Sequence, residues 1–409
     1  MKIRHYKKDK DRKACHRIWT ECAWVESKED KKAMDTFVSD GRNLVAEVGG
    51  QAECLACAKQ GNLNYLGHSL NFSAVMAVTT SRIARKQGLA SRLTAQLIAE
   101  EAAAGAHISG LGIFDSGYYD QLGYGLGSYE TIRYFDPAQL KVSVKHRTPT
   151  RLTTKDFKKI YTSLSSRYRT HGSIMIDSAN FFKAELKWTG PSFGLGYPDK
   201  SGEGISHFIW CKTKGESGPY RITFMAWQNS EQYFELLALI KSLSDQVISI
   251  GLIEHPEIQL QQLLDKPFRH FDLTYKADKA ARSSAQAYWQ ARICNLEACI
   301  SACEFEGIPL EFNLKLTDPI TKFLDKQAPW QGLEGDYTIM LSTQSSVSPG
   351  LKNGLPTLTT DINAFTRLWL GVQTAKGLSI TDNFSAPEEL ILYLDEYFRL
   401  PKPSFEIDF

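Results

Sequence analysis

The stretch ARKQGLASRL, residues 84–93, sets Arg85, Lys86 and Gly88 at the start of a pattern that reads as a helix. A helix N-terminus leaves about four backbone N–H groups unpaired and carries partial positive charge, so it binds phosphate-type anions. Glycine at 88 lets backbone approach a ligand closely because no Cβ intervenes, and Arg85 and Lys86 add charge at the rim. Neither the dinucleotide fingerprint G-x-G-x-x-G nor the phosphate loop G-x-x-x-x-G-K-[ST] is present. What remains is R-x-x-G-x-A, Arg85 to Ala90, directly behind the apolar run FSAVMAVTT (72–80). As a bare pattern it also fits a solvated helix start.

Two further segments could carry chemistry. YYDQLGYG (118–125) holds Tyr118, Tyr119 and Tyr124 in a short helical turn. In the tail SFEIDF, Phe405, Ile407 and Phe409 alternate with Glu406 and Asp408, giving one apolar face up to the last residue. Chain ends normally fray, so this alternation predicts a docked strand. CLAC, Cys54 to Cys57, lies in a strand pattern, where residues three apart face opposite ways and cannot easily share a metal or a disulfide. No second CxxC completes a zinc site. Cys299 and Cys303 have helical spacing without partners and read as core, so no metal site is predicted.

The elements that position these groups follow an α/β pattern. MKIRHY alternates like a strand. Asp9 or Asp11 can cap a helix carrying Ile18, Cys22 and Val25, and LVAEVGGQAECLACAKQ reads as a hairpin around Gly49 and Gly50. FSAVMAVTT is a buried strand, Leu89, Leu93, Leu97 and Ile98 mark the face of a helix ending before Gly105, and HISGLGIF (107–114) is a strand. The strand–helix–strand order returns in YRITFMAW, SEQYFELLALIKSL and DQVISIGLI, but the junction AWQNSEQ has neither glycine nor cation. This predicts a second copy of the fold without its anion site. A third part holds the strands PLEFNLKL and GDYTIMLS and a helix expected to be capped by Ser385, with Glu388 three residues on.

Composition bounds the function. A chain of 409 residues predicts two to four domains. With 48 Lys and Arg against 46 Asp and Glu, the net charge of +2 gives no global field toward nucleic acid or anionic membrane. The basic start MKIRHYKKDKDRK lacks the apolar stretch of a signal peptide, and no window of about 18 apolar residues predicts a membrane span. Eight cysteines are too sparse for a disulfide scaffold. The expectation is a cytoplasmic protein.

A strand, then [RQ]-x-x-G-x-[GA], then a long amphipathic helix resembles the acetyl-CoA site of the GNAT acetyltransferase superfamily. YYDQLGYG resembles the I-Y-x-x-x-G-Y-G segment of the enhanced-intracellular-survival (Eis) acetyltransferases. ISIGLIEHP, LWLGVQTA and the end DNFSAPEELILYLDEYFRLPKPSFEIDF are similar to segments of that family's middle and final domains. The resemblance covers the whole chain. It implies a GNAT domain over 1–135, a second, degenerate GNAT-like domain over 136–288, and a sterol-carrier-protein-like α/β domain over 289–409. It also implies a homo-oligomer, commonly a hexamer, and transfer of an acetyl group from acetyl-CoA to an aminoglycoside-like polyamine or a lysine.

By the same resemblance, Val78, Thr79 and Thr80 contact the acetyl and pantetheine parts through their backbone. Arg85, Lys86, Gln87, Gly88, Leu89, Ala90 and Ser91 surround the pyrophosphate, and Phe114 and Asp115 border the cofactor. Tyr119 matches the general acid; a phenol of pKa ~10 lies close enough to a thiol's ~8.5 to protonate the leaving thiolate. The implied base is the terminal carboxylate, here that of Phe409. Its neighbour Asp408 stands where the family often has the longer glutamate. Glu26, Trp24 and Trp19 are candidates for the acceptor pocket. The alternative is a catalytically silent CoA-binding scaffold or regulatory protein that keeps the loop.

Overall fold

The computed structural model describes residues 2–112, 117–188, 190–267 and 280–407. The chain begins with β1 (Lys2–His5), α1 (Lys8–Glu21), α2 (Lys28–Phe37), β2 (Arg42–Val48) and β3 (Gln51–Tyr65). It continues with β4 (His68–Thr80), α3 (Leu89–Ala103), β5 (Ile108–Gly112), β6 (Gly125–Leu126) and β7 (Glu130–Phe135). Neither Asp9 nor Asp11 caps α1: Lys7 is the cap residue, and both acids lie in the first turn. There the Asp11 carboxylate accepts the Lys7 N–H at 2.7 Å and two bonds from the Arg4 guanidinium, each 2.7 Å. α2 starts on a reciprocal capping box between Ser27 and Asp30.

The first sheet runs β1-β2-β3-β4-β5, then the strand Trp289–Ile293, then β6, with Ile174–Ile176 added to β3. All neighbours are antiparallel except β4 and β5, which α3 connects as a parallel pair. The second sheet runs Arg282–Gln286, β7, Ile250–Ile253, Tyr220–Ala226, Ile205–Lys212, Ser192–Pro198, Thr150–Leu152. The third runs Ser346–Pro349, Gly335–Leu341, Leu310–Thr317, Thr357–Asp361, Phe384–Ser385. Strands therefore cross the boundaries expected from sequence. β7, before residue 136, belongs to the second sheet, and Trp289–Ile293, from the third part, completes the first. One hydrophobic core joins all three, running from Trp19 and Phe72 through Phe182 and Trp210 to Trp289, Phe312 and Phe405.

Ser385 does not cap the last helix. It pairs with Thr359 in a two-residue strand, and the helix Glu388–Tyr397 starts behind Pro387 with no side-chain cap. The proline at this position already fixes the turn into the helix. Beyond that helix the tail lies between the first two sheets. Phe405 is fully buried, stacked on Trp289 at 4.2 Å and edge-on to Phe72 at 5.4 Å. Its carbonyl accepts the Ile174 N–H at 3.1 Å. Gly110 makes room for it: a Cβ there would stand 2.5 Å from the Phe72 ring and 2.7 Å from that of Phe405.

The second copy of the strand–helix–strand unit is Tyr220–Ala226, Ser230–Lys241 and Ile250–Ile253, its strands parallel at Tyr220 and Arg221. Its helix end is occupied by its own side chains. Asn229 accepts the Gln232 N–H at 3.0 Å, and the Gln232 amide oxygen accepts the Gln228 N–H at 2.7 Å. Trp227, just past the strand, stacks on Tyr168 and packs against His255.

Candidate active site

β4 and β5 pair only from Phe72–Ala74 to Ile108–Gly110. Past that point β4 carries an extra residue against β3, where Leu55 and Cys57 face Thr79 and Met76, and Ala77 takes φ +53°. Such bulges bend a strand and re-aim its groups. Among the described residues no strand covers the β5-facing edge of β4 from Met76 to Thr80, so its backbone donors and acceptors open into a cleft.

α3 begins beside this edge. Gly88 is its N-cap at φ +71°, with no side chain capping the helix, and Lys86 precedes it at φ +61°. Nothing lies within 4 Å of where a Gly88 Cβ would be, so the backbone angle and the open space, not packing, require glycine here. Leu89, Leu93, Leu97 and Ile98 anchor the helix in a core shared with Ala56 and Leu111. The first-turn amides of α3 are therefore held in place without an intrahelical partner.

A cavity of about 1030 Å³ joins the cleft to this helix end. Val78, Thr79, Thr80, Arg85, Lys86, Gly88, Leu89, Ala90 and Ser91 all line it, as do Tyr118, Tyr119 and Trp24. Gln87 does not; its side-chain amide donates to the Ile83 carbonyl at 3.2 Å. Phe114, Asp115, Asp408 and Phe409 lie outside the described residues, and Ile407, buried, is the last described residue of the tail. Glu26 is exposed and absent from the wall, its backbone N–H bonded to the Asp30 carboxylate at the start of α2. Among the described residues the carboxylate on the wall is Glu185, from the helix Ala179–Trp188.

That helix also brings Trp188, and the loop before Trp289 brings Tyr288. Sequence reading missed all three, because they come from the part judged to lack a site. With Trp19, Trp24 and Phe37 they line the same cavity. Trp19 touches Trp24 at 5.5 Å, Phe37 at 5.8 Å and Trp188 at 5.6 Å between ring centroids.

The two adjacent tyrosines differ. The Tyr118 hydroxyl bonds Ser91 Oγ at 3.2 Å, tying it to the first turn of α3. Tyr119 packs edge-on to Tyr118 at 4.9 Å and to Tyr124 at 6.1 Å, and its hydroxyl has no hydrogen-bond partner among the described residues. Burial, then the neighbouring Tyr118 and Cys54, push the Tyr119 phenol above its ordinary value. It keeps its proton at neutral pH. Cys54 and Cys57 lie in different cores, on opposite faces of β3, and burial pushes them up to about 11 and about 12. Buried thiols of this kind are inert. Among the described residues no group of three or more His, Cys, Asp or Glu could hold a metal ion, and no helix is long and apolar enough to cross a membrane.

The arrangement offers uncapped amides and two cations for a pyrophosphate, an open strand edge for an extended amide-bearing arm, and a protonated phenol. Residues 2–127 match the family model described as Acetyltransferase (GNAT) domain. No curated protein matches the chain. Solved structures of the same fold include a probable N-acyltransferase from Enterococcus faecalis, described as a conserved protein of unknown function. It is 18% identical, with 100% of this chain and 99% of that one covered and a TM-score of 0.81. Eis1 from Mycobacterium abscessus is 16% identical, with 100% of both chains covered and a TM-score of 0.77. A GCN5-related N-acetyltransferase from Anabaena variabilis is 15% identical, with 100% of both covered and a TM-score of 0.75. At these identities the likeness to the solved structures is one of fold, while the match over residues 2–127 makes the chain an acyltransferase with a GNAT acetyltransferase domain; its fold is Eis-like from end to end.

Proposed function

We propose that the protein moves the acetyl group of acetyl-CoA onto an amine, that of a small molecule or of a lysine. One observation carries this reading: the uncapped first turn of α3, the unpaired edge of β4 and the Tyr119 phenol share one cavity wall. The amides from Gly88 to Ser91, with Arg85 and Lys86 beside them, suit a pyrophosphate. The edge at Val78, Thr79 and Thr80 suits a pantetheine arm bound as an added strand, and its amides suit the negative charge that develops on the thioester oxygen.

The attacking amine must be neutral and the departing sulfur needs a proton. Tyr119 serves as the acid, with the proton that its burial preserves. The base is the terminal carboxylate of Phe409. The docking of the tail supports this role: Phe405 rests on Gly110 and Trp289, and their near neighbours Gly112 and Tyr288 line the cavity. Two residues beyond Ile407 span at most about 7 Å. A free α-carboxylate has a pKa near ~3.5 and is a weak base in water; desolvation raises it. Resemblance to the Eis family adds a homo-oligomer, commonly a hexamer in that family, which light scattering tests.

Incubation with acetyl-CoA and a panel of amines, following free CoA and the mass of the acceptor, tests the reaction. Residues appended after Phe409 should abolish turnover and leave acetyl-CoA binding intact; unchanged turnover removes the terminal carboxylate from the mechanism. A silent scaffold would bind acetyl-CoA and acetylate no amine.

A further inference from the structure

The turn that carries Tyr119 is gripped by side chains from the far end of the chain. The Tyr119 hydroxyl has no hydrogen-bond partner among the described residues, so ring contacts and its own backbone place it. That backbone forms one short turn: the Leu122 N–H donates to the Tyr119 carbonyl at 2.9 Å and the Gly123 N–H to the Asp120 carbonyl at 3.0 Å. A single turn does not hold itself in water. The Asn363 side-chain amide supplies support, donating to the Asp120 carbonyl at 2.8 Å and to the Tyr124 carbonyl at 2.9 Å, and so bridges the two ends of the turn. Between them the Arg292 guanidinium donates to the Leu122 carbonyl, and the Gln290 amide donates to the Asp120 carboxylate at 2.8 Å.

Asn363 is itself fixed. It lies in the first turn of the helix Ile362–Trp369, where the Asp361 carboxylate accepts the Ala364 N–H at 2.9 Å. The helix comes close because Gly125 has no side chain: a Cβ there would stand 2.3 Å from the Asn363 carbonyl oxygen. The half-buried Asn363 amide thus turns both its N–H groups to the segment that follows Tyr119. A general acid donates only within about 2.6–3.2 Å of its acceptor, and a displacement of about 1 Å can cost about a hundredfold in rate. A phenol whose hydroxyl is unanchored keeps such a distance only if the backbone behind it cannot rock. We infer that Asn363 is a positioning residue for the acid: by bridging Asp120 and Tyr124 it keeps the Tyr119 hydroxyl aimed at the leaving sulfur. This rests on the reading of Tyr119 as the acid. It adds that the final part of the chain, which carries the proposed base, also places the acid.

N363D keeps the shape of the side chain but has no N–H to donate at neutral pH, and N363A removes the amide altogether. Each should lower kcat about tenfold or more in the free-CoA assay, with the KM for acetyl-CoA within about twofold. In the Y119F background the same substitutions should change kcat less than about twofold, because residues that act through one group are not additive. A role in stability alone would lower both backgrounds alike. Unaltered kcat in N363D, or an equal loss with and without the Tyr119 hydroxyl, overturns the inference. If Y119F keeps its kcat, the acid reading falls and the inference with it; if Y119F loses activity and N363D does not, only the inference falls. If no amine is turned over, fluorine NMR of protein labelled with 3-fluorotyrosine reads the ring's position directly, the Tyr119 signal being the one absent in Y119F. A shift of that signal in N363D and N363A upholds the hold of Asn363 on the ring while the transfer reading falls; an unmoved signal overturns both.

Discussion

Glu406 should control the docking of the tail. Its backbone takes φ +60°, a left-handed turn between the buried side chains of Phe405 and Ile407. Its carboxylate accepts the Thr170 N–H at 3.1 Å and the Thr170 hydroxyl at 2.5 Å, and faces the Arg167 guanidinium at 3.5 Å. Arg167 is buried and hydrogen-bonded to the carbonyls of Leu164 and Ile174, so it cannot readily turn to water when its partner is lost. E406Q keeps the bonds from Thr170 and removes only the charge. Breaking one half of a buried pair costs 3–5 kcal/mol, and with those bonds kept the lower end, about 3 kcal/mol, applies. That shifts the docked-to-undocked ratio about a hundredfold.

The reporter is the Ile174 amide, which donates to the Phe405 carbonyl. Its hydrogen exchange should quicken about a hundredfold in E406Q if the tail opens as a unit. Turnover should fall while the KM for acetyl-CoA stays within about twofold. R167M/E406Q, which removes both charges, should be less exposed at Ile174 than E406Q alone. Unaltered Ile174 exchange in E406Q, or a double variant worse than the single, would refute this account of the tail.

Other outcomes follow from the same geometry. Y119F should lower kcat about 10²–10⁴-fold, as loss of a general acid does; Y118F, whose hydroxyl serves Ser91, should act mainly on the KM for acetyl-CoA. Because burial raises the Tyr119 pKa and its protonated form is the active one, the pH–rate profile should show no alkaline loss from this group up to about pH 10. Gly88→Val forces a β-branched residue to φ +71° and fills the space before the helix, so the KM for acetyl-CoA should rise about tenfold at little cost to kcat. Glu235 is held at about 2, first by the Arg147 guanidinium. Its folded value lies below its unfolded one, so its stabilisation is present above about pH 4.5 and is lost as pH falls toward 2. Melting temperatures between pH 6 and 2.5 should therefore fall less steeply in E235Q than in the unaltered protein.

The parts of the site legible in the sequence are the local ones. Gly88 announces itself because a glycine at a helix start needs no distant partner, and Val78 to Thr80 were singled out by the GNAT-type resemblance at the end of the apolar run before it. The Eis-type resemblance singled out Tyr119 by its register in YYDQLGYG. Glu185, Trp188 and Tyr288 stayed hidden because they reach the cavity only through packing of α2 against the helix Ala179–Trp188 and through the strand Trp289–Ile293. Glu26 follows α1 in sequence, but its side chain is exposed and its backbone N–H bonds to Asp30, beside the capping box of α2. The bare junction AWQNSEQ was legible as lacking cations. That Asn229 caps the Gln232 N–H, and that the Gln232 side chain accepts from Gln228, depends on rotamers that spacing does not dictate.

The strand Trp289–Ile293 bonds to β5 on one side and to β6 on the other. The sheet that holds the cleft is therefore finished by residues synthesised about 180 positions after β5, which at 5–20 residues per second means roughly 10–35 s later. Until then β5 waits on the ribosome with an open edge and an apolar face. The sheet that holds the cleft stays unfinished when the GNAT segment emerges, because β5 and β6 are joined only by Trp289–Ile293. Acetyl-CoA binding should accordingly be absent from stalled chains that end before residue 289, however completely residues 2–127 have left the exit tunnel.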